Sequence, residues 1–498
     1  MKNDAFPDHS SSSELEDNSC IPFKSGLGDN LETIQVELGY SSDLSIREFK
    51  LGSAAVPAAI LWINSMNDAH SLDQNVIAPL LERGSRMEIV PTADGIYEQL
   101  CDSVIFSGEV ALAESVDSVL TRLLSGASVL LVDGMTKGVT IGNTGYETRS
   151  IQEPSSTSVV RGPRDGFVES LSVNVSLIRR RIRDKRLHVE VMTVGSVSHT
   201  QIALLYLRHR APKQVVEEVR ERLKRIQIDA VLESNYIEEI IKDAPRSIFP
   251  TVYISERPDD IAGGALEGRV VVIVDGSPFV LLLPCTFFHL MQTAEDYYLA
   301  FPIAAFVRWL RLIGLYITLL FPALYVGILS FHPEMVPPEL LSSILAAREG
   351  VPFPLLIEAL LMELTFEGLR EAGVRMPRAI GSAISIVGAL VIGESAVSAG
   401  IISPPTIIVV AGTAIASFII PSVELSGAVR LLRFFMLLFA SILGLYGIVL
   451  GMMLLGIHLT TIKSVGTPYL APIAPFKSKE ALKTVFRLPW WIVRTKKN

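Results

Sequence analysis

The sequence predicts an α/β or α+β tandem-repeat soluble region in its N-terminal part, followed by an α-helical transmembrane domain. Three observations lead there. About half of the 498 residues are hydrophobic and the mean hydropathy is positive, too apolar for a wholly soluble chain and too long for one ordinary domain. The apolar excess is concentrated after about residue 300. Before that point two pairs of landmarks recur at a nearly constant offset, the mark of an internal repeat.

Residues 1–30 are acidic, rich in serine and without an apolar core, so they read as a disordered tail and not as a signal peptide or anchor. Residues 31–150 and 187–299 read as two cytoplasmic α/β subdomains. The first holds KLGSAAVPAAILWI (50–63) and the second TVGSVSHTQIALLYL (193–207), each a Gly-Ser turn beside an apolar run of strand type. GASVLLVDGMTKGVTIG (126–142) and GRVVVIVDGSPFVLLLP (268–284) read as β-hairpins, because Asp-Gly tolerates the positive φ of a tight turn. Gly52 and Gly195 lie 143 residues apart, and Asp133 and Asp275 lie 142 apart. Residues 213–226 and 235–243 show apolar positions at helical spacing, and 110–125 reads as a helical counterpart in the first copy. The apolar run 270–290 stays with the soluble hairpin, since Asp275, Gly276 and Ser277 cut it well short of a spanning length.

Between the copies, residues 151–186 read as a basic linker ending in Arg179, Arg180, Arg181, Arg183, Lys185 and Arg186. The plain reading of such a run is a solvated helix face. The sharper one is a brace between subunits or between repeats, for which Arg161, Arg179, Arg180 and Arg181 are the candidates. No aromatic residues interleave the run and the net charge is −8, so nucleic acid is not an expected partner. Cys20, Cys101 and Cys285 form no metal or redox pattern, which fits a reduced cytoplasmic setting. There is no phosphate-cradling glycine motif, metal-spaced histidine cluster or nucleophile elbow, so neither an enzyme nor a cofactor is expected.

Residues 300–462 read as the transmembrane domain. Arg308 and Arg311 precede 312–331, a charge-free run of spanning length. Residues 379–399 and 405–420 read as two further spans. The run 434–462 is long for one crossing and short for two, so the side on which the basic, aromatic tail 463–498 lies stays open. If Arg308/Arg311, Arg370/Arg375/Arg378 and Arg430/Arg433 all face the cytoplasm, each interval crosses an even number of times.

Residues 351–400 mix spanning-grade hydrophobicity with carboxylates. A charge at membrane depth costs roughly 2.5–3.5 kcal/mol even on a lenient scale, so Glu358, Glu363, Glu367 and Glu394 are expected to face a partner, a cavity or water. The first three read either as a helix face at an interface or as the lining of an ion path. Ser382, Ile386, Leu390 and Glu394 recur every four residues on a helix rich in small side chains. That pattern reads as close helix packing, or as a pore lining with an apolar gate and Glu394 as a polar collar.

Several motifs resemble, in order, the A subunits of the GerA family of spore germinant receptors. They are VVRGPRDGFVESLSVNVSLIRRRI (159–182), SERPDDIAGGALEGRVVVIVDGSPFVLLLP (255–284), DYY (296–298), VPFPLLIEALLMEL (351–364), LREAGVRMP (369–377) and VIGESAVSAGIIS (391–403). The resemblance implies a multi-pass protein of the inner spore membrane with a cytoplasmic N-terminal region. It also implies work with a transporter-like B subunit and a lipoprotein C subunit, homo-oligomerisation into an ion-conducting pore, and release of monovalent cations on exposure to nutrients. It extends to an accessory branch of the stage V sporulation AF type. Glu394-Ser395 stands where many relatives carry an amide followed by alanine. Two readings of other classes remain beside this one. One is a secondary transporter with Glu358 and Glu363 as a coupling-ion site, which would need two matching sets of broken helices. The other is a membrane-anchored scaffold.

Overall fold

The computed structural model describes residues 21–82, 97, 99, 109–143, 145, 154, 161–375, 391–477, 481, 484, 487 and 489. The first soluble unit runs through α1 (Leu27–Glu37), β1 (Leu44–Leu51), β2 (Val56–Ile63), β3 (Val110–Ala113), α2 (Val116–Leu123), β4 (Ser128–Val132) and β5 (Gly138–Ile141). The second repeats it with α3 (Leu171–Arg181), β6 (Leu187–Val194), β7 (Thr200–Leu207), α4 (Lys213–Lys224), α5 (Ser234–Ile241), β8 (Tyr253–Ser255), α6 (Pro258–Leu266), β9 (Val270–Val274) and β10 (Val280–Leu283). Strand orders match, β1-β2-β4-β5-β3 and β6-β7-β9-β10-β8, and every pairing is antiparallel. Of the two alternatives, the all-antiparallel sheets favour α+β.

Central strands are apolar on both faces because helices cover both. In the second unit Ile202 and Leu204 pack under α4 and α5, while their neighbours Ala203 and Leu205 pack under α3 and α6. The Asp-Gly turns are where the sequence puts them, with Gly134 at φ 80° and Gly276 at φ 85°. Each Asp also accepts from the first helix of its own unit, Asp133 from the Leu27 N–H at 2.8 Å and Asp275 from the Leu171 N–H at 2.9 Å.

These matched caps correct the expected boundaries. Residues 165–186 are not linker, since α3 is the first helix of the second unit as α1 is of the first. Asn30 exchanges two hydrogen bonds with the Lys24 backbone, and Asn174 does the same with Val168. Ile21 and Phe23 already pack against the first core, so ordered structure begins inside the stretch read as tail. Residues 110–125 contain a strand before their helix. Residues 1–20, most of 151–160 and the end of the tail, 490–498, lie outside the described residues.

The units meet through the basic run. The guanidinium of Arg179 is buried and donates to Asp43 at 2.9 Å and to the Ser41 hydroxyl oxygen at 3.0 Å, and the Ser42 N–H donates to the Val189 carbonyl. Arg179, offered by the sequence as a candidate for a brace between subunits or between repeats, here ties the first repeat to the second within one chain. Arg181 forks onto Asp165 at 2.7 Å. Arg180 is half-buried, and Arg161 is exposed.

Beyond the second unit come α7 (Phe301–Phe331), α8 (Pro338–Arg348), α9 (Leu355–Arg375), α10 (residues 391–398), α11 (Pro404–Ser417) and α12 (Val423–Thr461). Among the described residues α7 and α12 are the two helices long and apolar enough to cross a membrane. Gly444 has φ 62° and ψ −138°, and there α12 folds back on itself. A Cβ on Gly451 would lie 2.6 Å from Met436 Sδ, and one on Gly447 would lie 2.1 Å from the Phe439 carbonyl oxygen. Such closeness across 15 residues needs antiparallel arms. The awkward run 434–462 is thus the end of one arm plus the whole of the other.

The returning arm ends beside the soluble region. Ser247 and His458 are 3.0 Å apart, and a short ribbon follows, β11 (Lys463–Ser464) and β12 (Thr467–Pro468). Ser464 Oγ accepts from the Cys285 N–H at 2.9 Å and donates to the Thr251 carbonyl at 2.6 Å, and Val465 is buried in the second unit's core. The start of the tail therefore lies on the soluble side.

Candidate functional site

The base of the helical region is fixed by one carboxylate. Asp296, fully buried in a capping box with Thr293, takes Arg308 at 2.8 Å and Arg311 at 2.9 Å, both from the early turns of α7. These arginines were expected to flank a span beginning at residue 312. They instead lie within a helix that begins at Phe301, because Asp296 supplies the counter-charge that lets them be buried.

Beside this anchor the SERPDD and DYY motifs meet. Tyr298 donates to Asp259 at 2.6 Å, Arg257 lies 2.8 Å from the same carboxylate, and Tyr253 donates to Asp260. The His289 ring stands edge-on to Tyr253 at 4.4 Å. Burial pushes the Asp260 carboxyl up to about 6 and holds His289 well below its usual range. A carboxyl raised in the folded state binds more protons there than in the unfolded chain between about pH 4 and 6, so it lowers stability as pH rises through that window. Asp260→Asn is accordingly expected to remove a fall in stability between pH 4 and 7 of on the order of 2 kcal/mol. The melting curves of the two chains across that range check it.

Further along, α9 carries the sequence-predicted carboxylates against α11 and the first arm of α12. Glu358 is fully buried. Its Oε1 accepts from the Ser403 N–H at 2.7 Å, from the Ser403 hydroxyl and from the Thr406 hydroxyl at 2.6 Å, so it caps α11, whose N-terminal N–H groups favour an anion. Arg348 approaches its other oxygen at 3.5 Å. Glu363 is buried 2.6 Å from Arg433, also buried, and Glu367 pairs with Arg430. Glutamates one turn apart on α9 thus meet arginines one turn apart on a helix running the other way. Arg430 and Arg433 were read as flanking charges and lie inside α12 instead.

Glu394 differs. It is exposed on α10 and has no hydrogen-bond or ion-pair partner among the described residues, while Ala396 two residues on packs with Met362, Phe366 and Val410 at mid-length of the bundle. Ser382, Ile386 and Leu390 lie outside the described residues, as does Arg378. Sequence reasoning missed Asp296, Ser403, Thr406 and Arg348. A matching signal was present for Arg430 and Arg433, whose spacing complements that of Glu363 and Glu367.

A repeated soluble region anchored by a buried Asp–Arg pair to a bundle with internal ion pairs defines a class of protein in which a folded soluble region is coupled to apolar helices. The family model described as Bacillus/Clostridium GerA spore germination protein matches residues 32–498. The chain belongs to the GerA family of spore germination proteins. It is 45% identical to spore germination protein KA of Bacillus subtilis over 93% of this chain and 85% of that one. It is 41% identical to the uncharacterized membrane protein YfkQ of the same organism over 96% and 92%. The crystal structure of the N-terminal domain of the A subunit of the Bacillus megaterium spore germinant receptor GerK3 aligns at 33% identity, covering 54% of this chain and 98% of that domain, with a TM-score of 0.42.

Proposed function

We propose that this chain is the A subunit of a nutrient germinant receptor in the inner spore membrane. Several copies surround a gated path for monovalent cations, and a transporter-like B subunit and a lipoprotein C subunit complete the receptor. The soluble units lie on the cytoplasmic side, and nutrient binding opens the path to start germination.

The observation that carries this reading is the contrast among four carboxylates. Glu358, Glu363 and Glu367 are neutralised within the chain, whereas Glu394 at a similar level is exposed and unpaired among the described residues. A carboxylate there is too costly to leave in hydrocarbon, so it faces water enclosed by neighbouring copies. Rings of Asp or Glu favour cations. With Leu390, Ile386 and Ser382 four, eight and twelve residues before it in the sequence, Glu394 forms the charged end of the pore lining.

The reading is tested in spores. Glu394→Lys is expected to abolish nutrient-triggered potassium release with receptor levels unchanged, and Glu394→Gln to slow it. Normal release from the lysine variant would contradict it.

A further inference from the structure

Near the soluble end of the bundle three arginines, Arg370, Arg430 and Arg433, converge on two glutamates. Glu367 takes Arg430 and Glu363 takes Arg433, while the next glutamate along, Glu371, is held by Arg375 at 2.6 Å on the outer surface of α9. Among the described residues Arg370 forms no ion pair of its own, Glu367 beside it being taken by Arg430. Its guanidinium lies 5.3 Å from the Phe418 ring centroid, and its Nη1 is buried with no hydrogen-bond partner. The Nε atoms of Arg430 and Arg433 are likewise buried and unpartnered, and Arg433 is almost wholly enclosed. Residues 376–390 contain no Asp or Glu, so that stretch holds no counter-charge.

A surplus guanidinium with a free donor is a site for an anion, and its planar fork suits phosphate. The surroundings decide which anion. Phe418, Val374 and Leu431 are exposed apolar side chains around the cluster, at the end of the bundle nearest the soluble region. A soluble ion has no use for that surface, whereas acyl chains do, and basic pockets between spanning helices on the cytoplasmic side take lipid headgroups.

We propose that Arg370, backed by Arg430 and Arg433, holds the phosphate of an anionic phospholipid whose acyl chains lie along Phe418, Val374 and Leu431. The site rests on the membrane reading of the helical region and is independent of ion conduction.

The test uses the full chain in phosphatidylcholine nanodiscs doped with phosphatidylglycerol. After extraction into mild neutral detergent, native mass spectrometry counts the lipids retained. Wild type and Arg375→Gln are expected to retain phosphatidylglycerol, and Arg370→Gln to retain about five-fold less, the factor that corresponds to about 1 kcal/mol for one basic residue at the headgroup level. Arg370→Lys, which keeps the charge and serves if the glutamine variant does not fold, is expected to fall between. Equal loss in the Arg370 and Arg375 variants would overturn the site in favour of general surface attraction. If inorganic phosphate alone displaced the lipid and stabilised the chain as well, the occupant would be a soluble anion and the lipid assignment would be wrong. A chain that never enters the discs would overturn the membrane reading and this site together.

Discussion

Replacing Glu363 by alanine is expected to cost about 3–5 kcal/mol of stability, enough to remove most of the folded chain, because it strands the enclosed guanidinium of Arg433. The loss arises from the uncompensated charge and not from the value of the pair itself. Replacing both partners with apolar residues, Glu363→Met with Arg433→Leu, is therefore expected to recover much of it, since a buried pair and a well-packed apolar pair of similar volume differ little. Thermal unfolding of the single and double variants in detergent measures this. A double variant as unstable as the single one would mean that the two side chains do not depend on each other.

The second large effect is expected at the base of the bundle. Asp296 is fully buried and faces two arginines, so Asp296→Asn leaves two guanidiniums beside a neutral amide. Breaking one such pair costs about 3–5 kcal/mol, and here one substitution breaks two. The expected outcome is separation of the helical region from the second soluble unit before global melting, seen as early proteolysis between residues 285 and 300. Cleavage no faster than in wild type would show that the C-terminal ribbon, gripped by Cys285 and Thr251, holds the two regions together without Asp296.

The soluble architecture was legible in the sequence because a repeat shows itself twice. Gly52 with Gly195 and Asp133 with Asp275 gave the period and the hairpins. The helices that open each unit were harder to see. Their shared feature is a buried asparagine bonded to the backbone six residues upstream, Asn30 to Lys24 and Asn174 to Val168, and a polar residue in a basic or acidic stretch looks solvated until its partner is known. The basic run after Asn174 then drew the whole of α3 into the linker.

In the helical region the sequence showed which groups needed partners but not where the partners were. Glu363 and Arg433 are seventy residues apart, and arginines next to an apolar run read by default as flanking charges. The reversal at Gly444 was equally hidden. That glycine sits among Gly447, Gly451 and Gly456 in one apolar run, where glycine ordinarily serves close helix packing. Only the backbone conformation separates the turning glycine from those that let the two arms touch.

The central claim is that one carboxylate meets water inside the membrane while its neighbours are sealed within the chain. Single cysteines at positions 359, 362 and 394, the first two replacing the buried Ala359 and Met362 beside Glu358 and Glu363, introduced one at a time after removal of the three native cysteines, test it through labelling with a charged, membrane-impermeant thiol reagent applied to the assembled protein in lipid vesicles. The account predicts rapid modification at 394 and protection at 359 and 362; protection at 394, or modification at all three positions alike, would contradict it.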